Sequence, residues 1–77
     1  RLAEALLFLK DSYGMEDDGL TLSTSLSRED LANIASMTTS NAIRTLSAMA
    51  QEGLISLKGK KIKLLKEDEL KTISEQG

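Results

Sequence analysis

A mainly helical fold with one small β-sheet (α+β) is predicted by three observations. Apolar residues recur at helical spacing in several separate stretches. Two hydroxyl side chains, Ser27 and Thr38, stand where helices begin, each just ahead of an apolar-periodic run. Downstream, two short β-prone runs flank a lysine-rich segment around Gly59.

Residues 1–13 predict the first helix. Leu2, Ala5, Leu6, Leu9 and Tyr13 share one face, and Gly14 can stop it. This helix is expected to pack across the back of the segment that follows. Met15 to Gly19 predicts a loop whose acids, Glu16, Asp17 and Asp18, form a solvated charge cluster. They lack the spaced oxygen ligands of a calcium loop. Leu20 to Leu26 alternates apolar and polar residues at its start, so a short strand is expected there, able to pair with the later hairpin.

The most informative stretch runs from Leu26 to Leu64. Ser27 precedes Asp30 by three residues. A hydroxyl there can accept from a free backbone N–H, and an acid at the third helical position can answer it. Leu31, Ile34 and Ala35 then fall on one face. A second start signal follows at Thr38, with Thr39, Ser40 and Asn41 in the first turn. Ala42, Leu46 and Met49 make a narrow apolar stripe along a helix expected over 39–52, and Gly53 ends it. Only about three residues can lie between these helices, so they must cross steeply, as in a helix-turn-helix. Leu54 to Leu57 and Ile62 to Leu65 then predict a hairpin, with Gly59 supplying the positive φ that its loop needs. A hairpin over 54–65 after a helix-turn-helix is a wing. Lys66 to Gln76 closes the chain as a helix, with acids near its N-terminus and Leu70 and Ile73 facing the core.

The order LSREDLA, a turn, a helix containing IRTLSAM, then EGLI and KGKKI closely resembles the DNA-binding domain of the Crp/Fnr family. These are bacterial transcription regulators related to the catabolite activator protein. The resemblance spans about Leu2 to Ile73, and its specific part is Leu26 to Ile62. It implies a winged helix-turn-helix that binds a palindromic operator in double-stranded DNA as part of a homodimer. It also implies a sensory β-barrel and a long dimerisation helix upstream. The chain begins at Arg1 with its apolar pattern already under way, so it is read as one domain, 1–77, of a longer protein. Alone it is expected to be a monomer. RNA polymerase is a further candidate partner, and the effector of the sensory part is unspecified.

The net charge of −2 runs against nucleic-acid binding, whose domains are usually basic. The distribution says more. From Arg28 to Lys63 six bases (Arg28, Arg44, Lys58, Lys60, Lys61, Lys63) face three acids (Glu29, Asp30, Glu52), and both flanks are net acidic. The positive segment is the helix-turn-helix and wing, where a phosphate backbone would lie.

Arg44 lies off the Ala42–Leu46–Met49 stripe. Taken alone, it is either a guanidinium fork for guanine O6 and N7 or a solvated arginine. The resemblance implies the fork, since the family carries a base-reading arginine at this place. Thr39 and Ser40 begin the recognition helix and are expected at base edges. Ser40 stands where most members carry a glutamate, and Ile43 where a small residue is common. The family's usual operator therefore does not transfer. Ile43 either touches a thymine methyl or packs against the core edge or a neighbouring subunit. Ser27, Arg28, Thr38 and Asn41 are expected phosphate contacts, and the hydroxyls can cap as well. Lys58, Lys60 and Lys61, with the Gly59 backbone, would clamp phosphates from the wing or form a solvated tip. Met37 and Met49 are expected in the core.

Composition closes off other classes. With no Cys and no His there is no disulfide, no zinc site and no Cys- or His-based catalytic arrangement. No nucleophile–base pair is visible, so no catalytic residue, metal or cofactor is expected. No apolar run reaches membrane-spanning length, and a cytoplasmic location is expected. The rival reading is a winged helix used as a protein–protein interaction module. Its signature would be an exposed apolar recognition face, of which Ile43 is the only hint.

Overall fold

The computed structural model describes residues 1–76. Among them the order is α1 (Leu2–Tyr13), α2 (Arg28–Ile34), α3 (Thr39–Gln51), β1 (Ile55–Lys58), β2 (Lys61–Leu64) and α4 (Glu67–Gln76). The hairpin pairs antiparallel, with Ile55 opposite Leu64 and Lys58 opposite Lys61. The α+β expectation and the winged helix-turn-helix both hold. The helix over 39–52 ends one residue early, with Glu52 as its C-cap, and the strands occupy 55–64 of the expected 54–65.

Both helix starts form as their sequences dictate. Ser27 is extended, and its hydroxyl accepts from the Asp30 N–H at 3.0 Å. The hydrogen bonds of the described residues include no return bond from the Asp30 carboxylate, so only half of the expected reciprocal pair is made. Thr38 is likewise extended and accepts from the Asn41 N–H at 3.2 Å.

The connection between α2 and α3 is Ala35–Thr38, one residue longer than expected. Ser36 takes the left-handed conformation (φ 57°), the one non-glycine residue described with positive φ. Its N–H donates to the Asn33 carbonyl at 3.2 Å, and the Met37 N–H donates to the Ala32 carbonyl at 2.8 Å. These two bonds are the Schellman pattern. The same pattern ends α3. There Gly53 (φ 78°) donates to Ala50 at 3.1 Å and Leu54 donates to Met49 at 3.0 Å. A glycine stands in one cap and a serine in the other.

The core is aliphatic. Leu6, Leu9, Leu31, Leu46, Ile55 and Leu70 are among its fully buried members, and no polar or charged residue of the described chain is buried. α1 packs on α4, α2 on α3, and α3 on β1. Met49 lies in the core and Met37 packs against it.

Two helix-face expectations need correction. Leu31 and Ala32 of α2 and its C-cap Ala35 are buried, while Ile34 is 41% exposed. Ile34 is the last residue of that short helix and lines an open groove with Glu4, Ala5 and Phe8 of α1, which leaves it partly in solvent. Tyr13 is 62% exposed although it continues the α1 face. It sits a full turn beyond Leu9, past the elements that bury Leu9. Of the expected α4 pair only Leu70 is fully buried, and Ile73 is 39% exposed.

The expected strand over 20–26 shrinks. Leu22 donates to the Ile62 carbonyl and Leu64 donates to the Leu20 carbonyl, so a short segment pairs with β2. It also pairs back on Met15, making a small turn of residues 15–22. The serine and threonine run beyond it is irregular, because it carries no alternating apolar side chains to bury.

The Ser36 cap generates a stability prediction. A left-handed non-glycine residue costs about 1–2 kcal/mol, offset in part by the extra freedom glycine has when unfolded. Ser36→Gly should therefore stabilise the domain by about 0.5–1 kcal/mol in urea unfolding, with the slope unchanged. A destabilisation would show that the serine side chain contributes more than its backbone strain removes.

Candidate nucleic-acid interface

The first half of α3 is a solvent-facing surface. Its apolar stripe, Ala42, Leu46 and Met49, is buried. Thr39, Ser40, Asn41, Ile43 and Arg44 are all exposed. Ser40 and Arg44, one turn apart, share one line along the helix. Among the described residues Arg44 makes no ion pair. Its guanidinium keeps five donors for an outside partner. Ile43 is 46% exposed, so it does not pack at the core edge, which removes one of its expected roles.

Ser27 and Thr38 cap their helices through acceptor lone pairs. A hydroxyl in that role still has its O–H to donate. Capping and anion contact are therefore compatible at both residues. Asn41 spends its backbone N–H on the Thr38 cap, leaving its side chain exposed.

Arg28, in the first turn of α2, donates from Nη2 to the Gly59 carbonyl at 3.1 Å. The start of α2 is thereby tied to the tip of the hairpin. Arg28 and Gly59 are brought together by this bond, which the sequence did not announce. Gly59 is left-handed (φ 61°), which lets its carbonyl turn toward the guanidinium.

Three lysines crowd the hairpin tip. Lys58 and Lys60 are exposed and make no ion pair among the described residues. Lys61 differs. Its ammonium lies 3.0 Å from the Glu16 carboxylate, and Lys63 lies 3.9 Å from Asp18. The acids of the loop over 15–19 are exposed, as expected of a solvated cluster, but two of them, Glu16 and Asp18, also pair with the wing. They face the wing across an open cleft lined by Glu16, Asp18, Lys58 and Lys61.

Asp18 is also the anchor of its own turn. Its carboxylate accepts from the Leu20 N–H at 2.8 Å, the Thr21 N–H at 2.9 Å and the Thr21 hydroxyl at 2.6 Å. Those bonds, the hydroxyl first and then the two amides, with Lys63 beyond them, lower its pKa to about 2. Sequence reasoning missed both contacts. A signal existed: acids at 16 and 18 and lysines at 61 and 63 share a period of two, as facing strands would. The pairing register that brings them together is a tertiary fact.

Away from the hairpin, Lys10 of α1 reaches Glu67 of α4 at 2.8 Å, and that hydrogen bond raises the lysine pKa. Among the described residues no group of acids is arranged to hold a metal ion, and no helix is long and apolar enough to cross a membrane.

Comparison with known proteins places this arrangement. A family model described as a Crp-like helix-turn-helix domain matches residues 1–73. Among solved structures, a CRP/FNR-family transcriptional regulator from Thermus thermophilus superposes over 97% of this chain with a TM-score of 0.84 and 28% identity. The Thermus thermophilus catabolite activator protein superposes over 97% with a TM-score of 0.79 and 25% identity. This chain spans 39% and 32% of the lengths of those two chains. No curated protein sequence matches it.

The Asp18 turn makes a pH prediction. A carboxyl whose folded pKa lies near 2, below its ordinary 3.8, contributes stability that is complete above about pH 4 and lost as pH falls toward 2. Carboxyl-detected NMR titration should find Asp18 titrating near pH 2, and Asp18→Asn should flatten the acid limb of the stability curve in that window. An Asp18 that titrates at its ordinary value would mean that the turn's hydrogen bonds are not held in solution.

Proposed function

The chain belongs to the Crp-like helix-turn-helix domain family, and from that premise we propose that it is the double-stranded-DNA-binding domain of a bacterial transcription regulator. In this reading α3 enters the major groove and the hairpin rests on the phosphate backbone. Thr39, Ser40 and Arg44 meet base edges. Ser27, Arg28, Thr38 and Asn41 hold phosphates at the helix starts, and Lys58, Lys60, Lys61 and the Gly59 backbone do so from the wing. The longer protein would dimerise and read a palindrome under the control of an upstream sensory domain.

The single observation that carries this reading is the exposed Arg44. It stands on the reverse of a fully buried stripe, one turn from Ser40, with no internal carboxylate to occupy it among the described residues. Binding rather than catalysis is the mechanism proposed, in line with the transcriptional regulators that it resembles.

The interaction-module reading would need an apolar recognition face. Ile43 is the one large apolar side chain on the exposed first half of α3, between Thr39, Ser40 and Arg44. A lone isoleucine among polar groups is a poor anchor for a protein partner, which needs a contiguous patch. It suits a thymine methyl better.

Selection from randomised duplexes, followed by titration of the enriched sequence, tests the proposal. Binding should weaken with salt at a slope of about −0.9 per phosphate neutralised. Arg44→Ala should lose about 1–3 kcal/mol of discrimination, roughly fivefold to 150-fold, on the selected site. Its affinity for unrelated duplex should change much less. An equal loss on every sequence would make Arg44 a phosphate contact, and salt-insensitive retention of a protein in place of DNA would favour the interaction module.

A further inference from the structure

The wing and the loop before α2 carry opposite charges at matched positions. Lys61 belongs to the last residue pair of the hairpin, opposite Lys58 and beside the Gly59–Lys60 tip. Glu16 meets it at 3.0 Å. Nothing in the Glu16 hydrogen bonding points elsewhere: among the described residues, its carboxylate bonds to Lys61 alone. The loop cannot drift away from the hairpin. The Glu16 N–H is fixed to the Thr21 carbonyl at 2.7 Å, and the next residues bond to β2 through Leu22–Ile62 and Leu64–Leu20. Asp18 stands over Lys63 in the same manner, but its carboxylate is committed to the turn itself.

We propose that Glu16 sets the charge the wing offers to DNA: Lys61 reaches a phosphate only with the Glu16 carboxylate beside it, and so adds less attraction than Lys58 or Lys60. The proposal rests on the DNA-binding reading above and adds to it a residue outside the recognition unit that tunes affinity. The physical reason is that both members of the pair are exposed, with side chains 42% and 47% accessible, so the pair exchanges readily with a competing phosphate. Exchange does not remove the carboxylate. The backbone keeps it within a Debye length of any phosphate that Lys61 would bind, where like charges repel. Each duplex that engages Lys61 must therefore accept an acid at its edge. Lys58 and Lys60 have no such neighbour in contact among the described residues. Glu16 is a positioning residue for charge, not a contact to the ligand.

The test uses the 77-residue chain and a duplex of the selected sequence, titrated between about 50 and 300 mM salt. Glu16→Gln keeps the side-chain size and removes the charge. It should bind about threefold to tenfold tighter at the low end, with a salt slope steeper by up to about 1, and the difference should vanish at the high end. Lys61→Gln should weaken binding in both backgrounds, and clearly more in the Glu16→Gln background than in the natural chain. Circular dichroism and thermal unfolding confirm that each variant is folded. Equal affinity and slope for the natural chain and Glu16→Gln, with both binding DNA, would overturn the role of Glu16 and leave the DNA reading intact. Failure of both to bind any duplex at low salt would overturn the DNA reading and this role with it.

Discussion

The cap at Ser36 is the constraint on which the rest of the domain depends. An α-helix leaves its last carbonyls without partners, and a tight turn gives water little room to supply them. Here the Ser36 and Met37 amides return to Asn33 and Ala32, which satisfies two of them while reversing the chain. Thr38 then accepts the Asn41 N–H within the same few residues. The two donors that end one helix and the hydroxyl that caps the next are thus supplied by three consecutive residues, Ser36, Met37 and Thr38. With so short a connection α2 and α3 have little freedom, and Leu31, Ala32 and Ala35 must share a core with Ala42, Leu46 and Met49. The opposite side of α3 is left outside as a consequence. Arg44 is exposed because the stripe behind it is committed.

Around that corner the domain is assembled from aliphatic pieces. With one phenylalanine, one tyrosine and no tryptophan in the chain, leucine supplies most of the core volume. Leucine and isoleucine interdigitate well, but a chain this short has little surplus of buried area. The hairpin is correspondingly fixed by more than its own two strands. Leu22 and Leu20 pair with β2, Arg28 holds the carbonyl of the tip, and Leu65 and Lys66 both donate to Leu54 where the hairpin closes. A two-stranded ribbon alone is marginal in water. These ties make it a definite surface beside α2.

Local chemistry made most of the fold legible in the sequence. Ser27, Thr38 and Gly53 mark helix ends through interactions within a few residues, and such signals survive any tertiary context. The Ala42–Leu46–Met49 stripe was readable for the same reason. What failed was everything decided by where a neighbouring element stops. Ile34 and Tyr13 continue their apolar faces in periodicity, but the folded chain leaves both partly in solvent. Ser36 was invisible because serine seldom takes the role glycine plays at Gly53. At the interface, the exposure of Thr39, Ser40 and Arg44 followed from the stripe alone. The engagement of Lys61 and Lys63 did not, since it depends on a turn at 15–22 folding back over a strand far downstream. Contact with bases or phosphates is a property of a complex, and no single chain displays it.

Charge placement resolves an apparent conflict between an acidic chain and the DNA-binding role proposed for it. What a phosphate experiences is the field within about 10 Å at moderate salt, not the sum over the chain. Glu67, Asp68 and Glu69 lie in the first turn of α4, which packs chiefly on α1. Glu67 is in addition occupied by Lys10. Glu29 and Asp30 occupy the first turn of α2, where backbone N–H groups favour anions. Of the acids beside the wing, Asp18 has a structural task, since its turn needs its carboxylate. Glu16 has no such task beyond Lys61. That is why neutralising it isolates an electrostatic effect on binding, while neutralising Asp18 would confound charge with the integrity of the turn.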